Sequence, residues 1–415
     1  MPLIFLIDRG IFLLLCFLVF FLPSSNAIVQ IFSGLLIFFY LVKKFCIERV
    51  AGRLATFDRA VFWPLLLFLG WALLTVFISH YPVLSLRAFV GKLMKVAGLM
   101  VITYEALNSC RRINIFIGFL LTAAMIIVLD SLWQMYSGHD FFVHSLYISG
   151  RVMASFKHPN DLGAYLVFMI LPALVLVFVF CAETFKQYSG LKVFRAFGWG
   201  ALTVLLVAVL GQTYSRGAWL GSTVAVLVFL FFARRFWFLL LGGVALFGAV
   251  FLPMLFQHRN VSFISESAGN SCSLSGSGRI GYWEDAIRII AEHPVFGTGI
   301  NTYTQVIKTY NTVWKAYPHN CYLQMGAELG LVGLGLFLWF LGAVITVIAR
   351  QLWNMPKQPY RWLCAAFFAG WCGVLAHSAL DTTFYSSQLS VLLWVMTGFI
   401  LAFSTNGIEV AYGKE

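Results

Sequence analysis

Few side chains in this sequence are able to do chemistry, and they are unevenly spread. His319 stands in "PHNCYLQMGAELGLVG" (318–333), where a polar turn leads into a long apolar run. A neutral imidazole takes a proton from a hydroxyl near pH 7. By itself, a histidine in such a turn is an ordinary surface residue, with Asn320 as the helix N-cap. Its neighbours in the sequence give it weight. Arg216 lies in "GQTYSRGAWLG" (211–221) and Arg279 in "SGSGRIGYWEDAIRIIAEHPVFGTG" (275–299). Arginine forks hold phosphate in bidentate fashion and stabilise a departing diphosphate. A base beside anion-holding arginines points to transfer of a group from a phosphate ester to an alcohol.

Each arginine also has a plainer reading. Arg216 falls between two apolar segments with only a few residues to turn in, where a snorkelling arginine reaching lipid phosphate is common. Gly211, Gly217 and Gly221 flank it and permit close packing or close approach of a ligand. Arg279 and Arg288 are nine residues apart, about half a turn around a helix, so they face opposite ways. Arg279 shares a stripe with Trp283, Ala286 and Ile290 and lies near a helix start, where free N–H groups favour an anion. Arg288 has Glu284 and Glu292 one turn to either side, the spacing of a solvated ion-pair ladder.

Three further candidates are weaker. Arg151 precedes "HPND" (158–161), in which Asn160 and Asp161 read as helix caps. Arg87 opens an apolar segment as a second possible phosphate ligand. Lys92 and Lys95 lie deeper in that segment, where ionisable groups usually face a cavity or a partner, for instance Glu105 or Asp130. Asp381 in "AHSALDTTFYSS" (376–387) is placed to orient a histidine or arginine, to bind a sugar hydroxyl, or to cap a helix.

These residues are held by an apolar framework. Of the 415 residues 61% are hydrophobic and only 11% charged, more apolar surface than a soluble domain of this length is able to bury. Long apolar runs recur throughout, which predicts an all-α polytopic membrane protein. Twelve spans are expected, near 4–22, 27–42, 60–78, 86–106, 113–135, 161–182, 196–214, 217–233, 236–256, 322–349, 361–380 and 388–404. The organisation predicted is a bundle over 1–256, a large loop with amphipathic helices over 257–321, and a closing bundle over 322–415. The first apolar run, with "SSNA" after it, reads as an uncleaved span rather than a signal peptide.

The net charge of +12 raises the question of nucleic acid. The positions of the charges answer it. Lys43, Lys44, Arg49, Arg53 and Arg59, then Arg111 and Arg112, then three further short basic loops, alternate with the spans. By the positive-inside rule these loops and both termini are cytoplasmic, so most of the charge is topological. Eleven of the 28 basic residues remain for the outer side, Arg87, Arg151, Arg216, Arg279 and Arg288 among them. The eight cysteines show no CxxC or Cys/His cluster, and no acidic nest is read on the outer side, so neither metal nor cofactor is expected. Cys272 and Cys321 both fall on the expected oxidising side, where pairing is one option.

At "TYSRGAW", "SGRIGYWEDA", "HPVFGTGINTY" and "PHNCYLQMGAELGLVG", in that order, the chain resembles the O-antigen ligase and polymerase family. The resemblance implies a GT-C-type membrane glycosyltransferase that works without metal or ATP. Its donor would be a glycan on undecaprenyl diphosphate. A ligase would use a sugar hydroxyl of lipid A–core as acceptor, at the periplasmic face of the bacterial inner membrane. Carried over by motif, the two arginines are Arg216 and Arg279 and the histidine is His319, as base or as acceptor-positioning residue. The compact chain and single dominant outer loop favour ligase over polymerase. A chain ending after the twelfth span disfavours a protein-glycosylating relative, and candidates gathered on the outer face disfavour a lipid-linked-glycan flippase.

Overall fold

The computed structural model describes residues 2–47, 58–146, 150–186, 188–233, 276–310, 317–355 and 359–411. Among them the chain is helical, with no strand beyond an isolated bridge between His139 and Leu146. The helices are α1 (Pro2–Phe21), α2 (Asn26–Val42), α3 (Arg59–Ile78), α4 (Pro82–Ala88), α5 (Lys95–Ala106), α6 (Cys110–Ser137), α7 (Pro159–Lys186), α8 (Gly190–Gln212), α9 (Arg216–Ala233), α10 (Gly276–Glu292), α11 (Tyr303–Tyr310), α12 (Cys321–Asn354), α13 (Pro359–His377) and α14 (Ser387–Ala411). A π-helical stretch (Phe89–Met94) joins α4 to α5, and a 3-10 turn (Thr383–Tyr385) precedes α14.

Among the described residues, nine of these helices are long and apolar enough to cross a membrane: α1, α2, α3, α6, α7, α8, α9, α12 and α14. They make this a multi-pass membrane protein. Of the three other spans expected, 236–256 lies outside the described residues. The segment 86–106 is divided into pieces of 7, 6 and 12 residues. The segment 361–380 forms α13, 19 residues long and outside the nine.

By internal packing the chain divides into two units. The first comprises Met1–Leu120, Arg279–Pro356 and Ser378–Glu415. Its centre is α14, where Val391, Leu392, Val395, Met396, Phe399 and Ile400 are fully buried. Trp394 stacks on Phe340 of α12 (5.4 Å between rings), and Phe116 of α6 meets Phe399 (5.0 Å). One end of this unit is polar: Asp8 binds both Lys43 and Arg112 at 2.6 Å, and Glu105 binds Lys44 at 3.0 Å. Two basic loops read as same-sided in the sequence therefore meet at one end.

Helix α12 is not continuous. Gly330 has φ 71° and ψ 176°, a backbone region open essentially to glycine alone. Breaking a helix frees its carbonyls, which need donors when buried. Here the loop after α10 supplies them. Thr298 N donates to Ala327 O (3.0 Å) and Gly299 N to Glu328 O (2.8 Å), while Leu331 N donates to Pro294 O (2.7 Å). The Trp71 indole donates to Leu329 O at 2.9 Å. "HPVFGTG" and "GAELGLVG" are thus two halves of one backbone clasp.

The second unit comprises Leu121–Gly278 and Lys357–His377. Helices α7, α8, α9 and α13 form its body. At the α9–α13 contact a methyl on Gly221 would stand 2.6 Å from Gly373 O, so no larger residue fits without moving the helices apart. The loop after α6 is fixed by buried polar groups: Asp130 accepts from Phe141 N and the Ser155 hydroxyl, both at 2.7 Å, and Gln134 accepts from Met153 N and Ala154 N.

Candidate active site

The start of α12 builds the centre of the site. Asn320 caps the helix as the sequence predicts, its side-chain oxygen accepting from Tyr322 N (3.0 Å) and Leu323 N (3.1 Å). That cap leaves the preceding residue, His319, in a left-handed conformation (φ 47°), uncommon outside glycine and a feature of functional sites. Trp283 of α10 donates its indole N–H to Pro318 O (2.9 Å), and the Tyr282 ring lies 6.2 Å from the His319 ring. Helix α10 therefore sets the position of the histidine.

The loop between α13 and α14 supplies the partner. His319 Nδ1 stands 3.2 Å from Asp381 Oδ1, and Asp381 is only 6% exposed. The aspartate is held by its surroundings. Thr382 N donates to the same oxygen (2.8 Å), the Cys321 thiol donates to Asp381 O (3.0 Å), and Cys321 N donates to Ser378 O (2.9 Å). A carboxylate offers only acceptors, so Nδ1 carries the proton and the lone pair falls on Nε2. Among the described residues no partner is recorded for Nε2, and 38% of the side chain is exposed. Cys272, considered as a partner for Cys321, lies outside the described residues.

Arg279 is half-buried, one turn before Tyr282 and Trp283 on α10. Residues three and four apart share a helix face, so it lies on the face that carries the contacts to Pro318 and His319. Arg288 is exposed on the opposite side. Its expected ladder is not made: Glu292 accepts instead from the Tyr310 hydroxyl, and Arg288 forms no ion pair among the described residues. Burial and that carboxylate push the Tyr310 phenol up to about 12.

Arg87 is exposed on α4. Lys92 and Lys95 do not take the carboxylates considered for them. Lys92 donates to Asn301 Oδ1 (2.7 Å) and Lys95 to Gln30 Oε1 (2.6 Å); Glu105 and Asp130 are committed as described above.

In the second unit, Arg216 is the first residue of α9 and exposed, behind the Ser215 cap (Ala218 N to Oγ, 3.3 Å) and the left-handed Tyr214 (φ 49°). Arg151 braces this turn. Its Nε donates to Thr213 O (2.9 Å), its Nη2 to Asn160 Oδ1 (2.8 Å), and Val152 N donates to Gln212 O (3.1 Å). Asn160 is therefore a partner of Arg151, not the cap the sequence suggested; α7 already begins at Pro159.

One residue was missed. Glu328, 1% exposed, accepts from Asn301 N (2.7 Å), Gln324 Nε2 (3.1 Å) and the Tyr385 hydroxyl (3.3 Å). It links α12 to the loop after α10 and to the turn that follows Asp381. Burial, reinforced by this carboxyl, raises the Tyr385 phenol well above its ordinary range. The signal was present: a lone carboxyl inside an apolar run is costly unless it is used. Among the described residues no three His, Cys, Asp or Glu side chains stand close enough to share a cation.

Comparison with known proteins agrees with the motifs. Residues 201–338 match the family model described as O-antigen ligase. That third of the chain includes Arg216, Arg279 and His319. A protein of Rickettsia bellii named "Putative polysaccharide ligase" is 26% identical over 207 residues, covering 46% of this chain and 49% of the relative. A second of that name, from Rickettsia conorii, is 22% identical over 282 residues, 58% of this chain and 67% of the relative. The chain thus spans about half the length of the first relative and two thirds of the second. The resemblance to the O-antigen ligase family is borne out.

Proposed function

We propose that the chain is a glycosyltransferase of the bacterial inner membrane that ligates a polysaccharide from undecaprenyl diphosphate to a sugar hydroxyl of lipid A–core. The observation that carries the reading is the 3.2 Å pairing of His319 Nδ1 with Asp381, which leaves the lone pair on Nε2 of a partly exposed side chain. In this reading Nε2 takes the proton of the acceptor hydroxyl as its oxygen attacks the anomeric carbon. The carbon–oxygen bond to the diphosphate breaks, and the diphosphate leaves with the electron pair. Asp381 offsets the charge of the imidazolium formed. Arg279 is the ligand for the leaving diphosphate; Arg216 is assigned to diphosphate binding by its motif alone, with Arg151 supporting its turn, and Arg87 is an outer phosphate ligand. The energy resides in the diphosphate ester, so neither ATP nor metal is required.

The site is proposed to face the periplasm, with both termini cytoplasmic and the segment 257–321 forming the large outer loop. The test is an assay with purified protein, lipid-linked glycan and lipid A–core, free of ATP and divalent metal. Glycan attached to lipid A–core, lost in His319→Ala, is the expected result. Chain extension of the lipid-linked glycan without lipid A–core would make the protein a polymerase. Movement of the glycan across vesicles without any new glycosidic bond would make it a transporter.

A further inference from the structure

A cavity of about 300 Å³ lies within the first unit, at the end that carries His319 and Asp381. Its inner wall is apolar, with Phe68, Phe337 and Trp394. Its polar wall holds Lys92, Lys95 and Glu328. Each lysine gives one N–H to a neutral amide oxygen, Asn301 Oδ1 or Gln30 Oε1. An ammonium has three donors, and among the described residues neither lysine forms an ion pair. Two amines and one carboxyl thus line the cavity, and the carboxyl already accepts four hydrogen bonds. The two amines give this wall its basic character.

The backbone around the lysines is unusual in two places. Lys92 sits in the π-helical stretch, a feature frequent at functional sites. Asn301, its partner, has φ 62° and is held in that conformation by Glu328, a local strain that binding sites retain. The same segment exposes Leu86, Val90 and Met94 at every fourth position, as a face toward lipid chains does. Gly91, between them, also lines the cavity, and a methyl added there would meet nothing within 4 Å.

We propose that this cavity binds a bilayer phospholipid with a monoanionic phosphodiester headgroup, the phosphate on Lys92 and Lys95 and one acyl chain against Phe68, Phe337 and Trp394. A phosphodiester offsets the charge of the amines, and the apolar wall together with the lipid-facing row Leu86, Val90 and Met94 suits acyl chains. The inference does not depend on the reaction proposed above.

The full chain, reconstituted in nanodiscs of phosphatidylcholine with phosphatidylglycerol, is released and its retained lipid counted by native mass spectrometry. One phosphatidylglycerol per chain is expected in the wild type. The double variant Lys92→Gln, Lys95→Gln should retain it at least about tenfold less, on the scale of basic residues at anionic lipid. Gly91→Leu keeps both amines and adds bulk to the cavity lining, where space is open, so it should show the same loss and carries the test if the double variant does not fold. Equal retention in all three proteins overturns the proposal. So does equal retention of phosphatidylcholine, or displacement of phosphatidylglycerol by a polyprenyl diphosphate, which would give the cavity to the donor.

Discussion

Asp381 and His319, 62 positions apart in the chain, are joined at 3.2 Å through Nδ1, which leaves Nε2 for the proton transfer proposed. Asp381→Asn retains size and a hydrogen bond but presents an amide that also donates, which favours the wrong tautomer. Transfer should fall by about 10²–10⁴-fold, the range spanned by a positioned base. The drop should be in kcat, with donor affinity unchanged. His319→Gln should be equally impaired, because an amide keeps a hydrogen bond but takes no proton. Wild-type rates in His319→Gln across the pH range would reduce the residue to the acceptor-positioning role.

Arg279→Ala and Arg288→Ala separate the two sides of α10. The first removes a half-buried cation from the face that contacts Pro318 and His319. It should abolish transfer in a protein that still folds. The second removes an exposed side chain without an ion pair and should leave specific activity within about twofold, as surface substitutions do. Equal losses in both would defeat the argument from helical phase.

Gly330→Ala tests the broken helix. A methyl there would stand 2.0 Å from Val295 O, and the backbone conformation alone costs about 1–3 kcal/mol in a residue other than glycine. The expected outcome is a clear fall in Tm in detergent, with loss of activity at temperatures where the wild type is stable. An unchanged Tm would mean that the clasp contributes nothing to stability.

The Tyr310 phenol, pushed up to about 12 by burial and by Glu292, predicts an alkaline dependence. A phenol whose proton is held more tightly in the folded chain stabilises fully below its unfolded value near 10. That contribution is lost as pH rises from there through about 12. Thermal melts between pH 8 and 12 should fall more steeply for the wild type than for Tyr310→Phe.

The membrane class was legible because apolar runs are a strong, local signal. So was the phase of α10, since 3.6-residue periodicity separates Arg279 from Arg288 without knowledge of the fold. Asn320 was legible as a cap for the same local reason. Asp381 was legible only as an option, because its partner comes from a distant helix start. The partners of Lys92 and Lys95 were not legible: the sequence offers carboxylates, and the packing brings amides. Glu328 and the clasp were missed together. Both arise where "HPVFGTG" folds onto "GAELGLVG", and glycine spacing alone does not say which carbonyls a break will free.

The break at Gly330 also sets a height. From Leu331 to Asn354 the helix rises about 36 Å at 1.5 Å per residue, more than the roughly 30 Å hydrocarbon layer. The nine residues Cys321–Leu329 precede a segment long enough by itself to cross that layer, and the histidine stands at their far end. The imidazole is on a stalk of fixed length, clamped at its base by Trp71 and the 294–299 loop. In the proposed reaction, chemistry at this ring is confined to one level, so an acceptor of the wrong reach is rejected before any sugar is recognised.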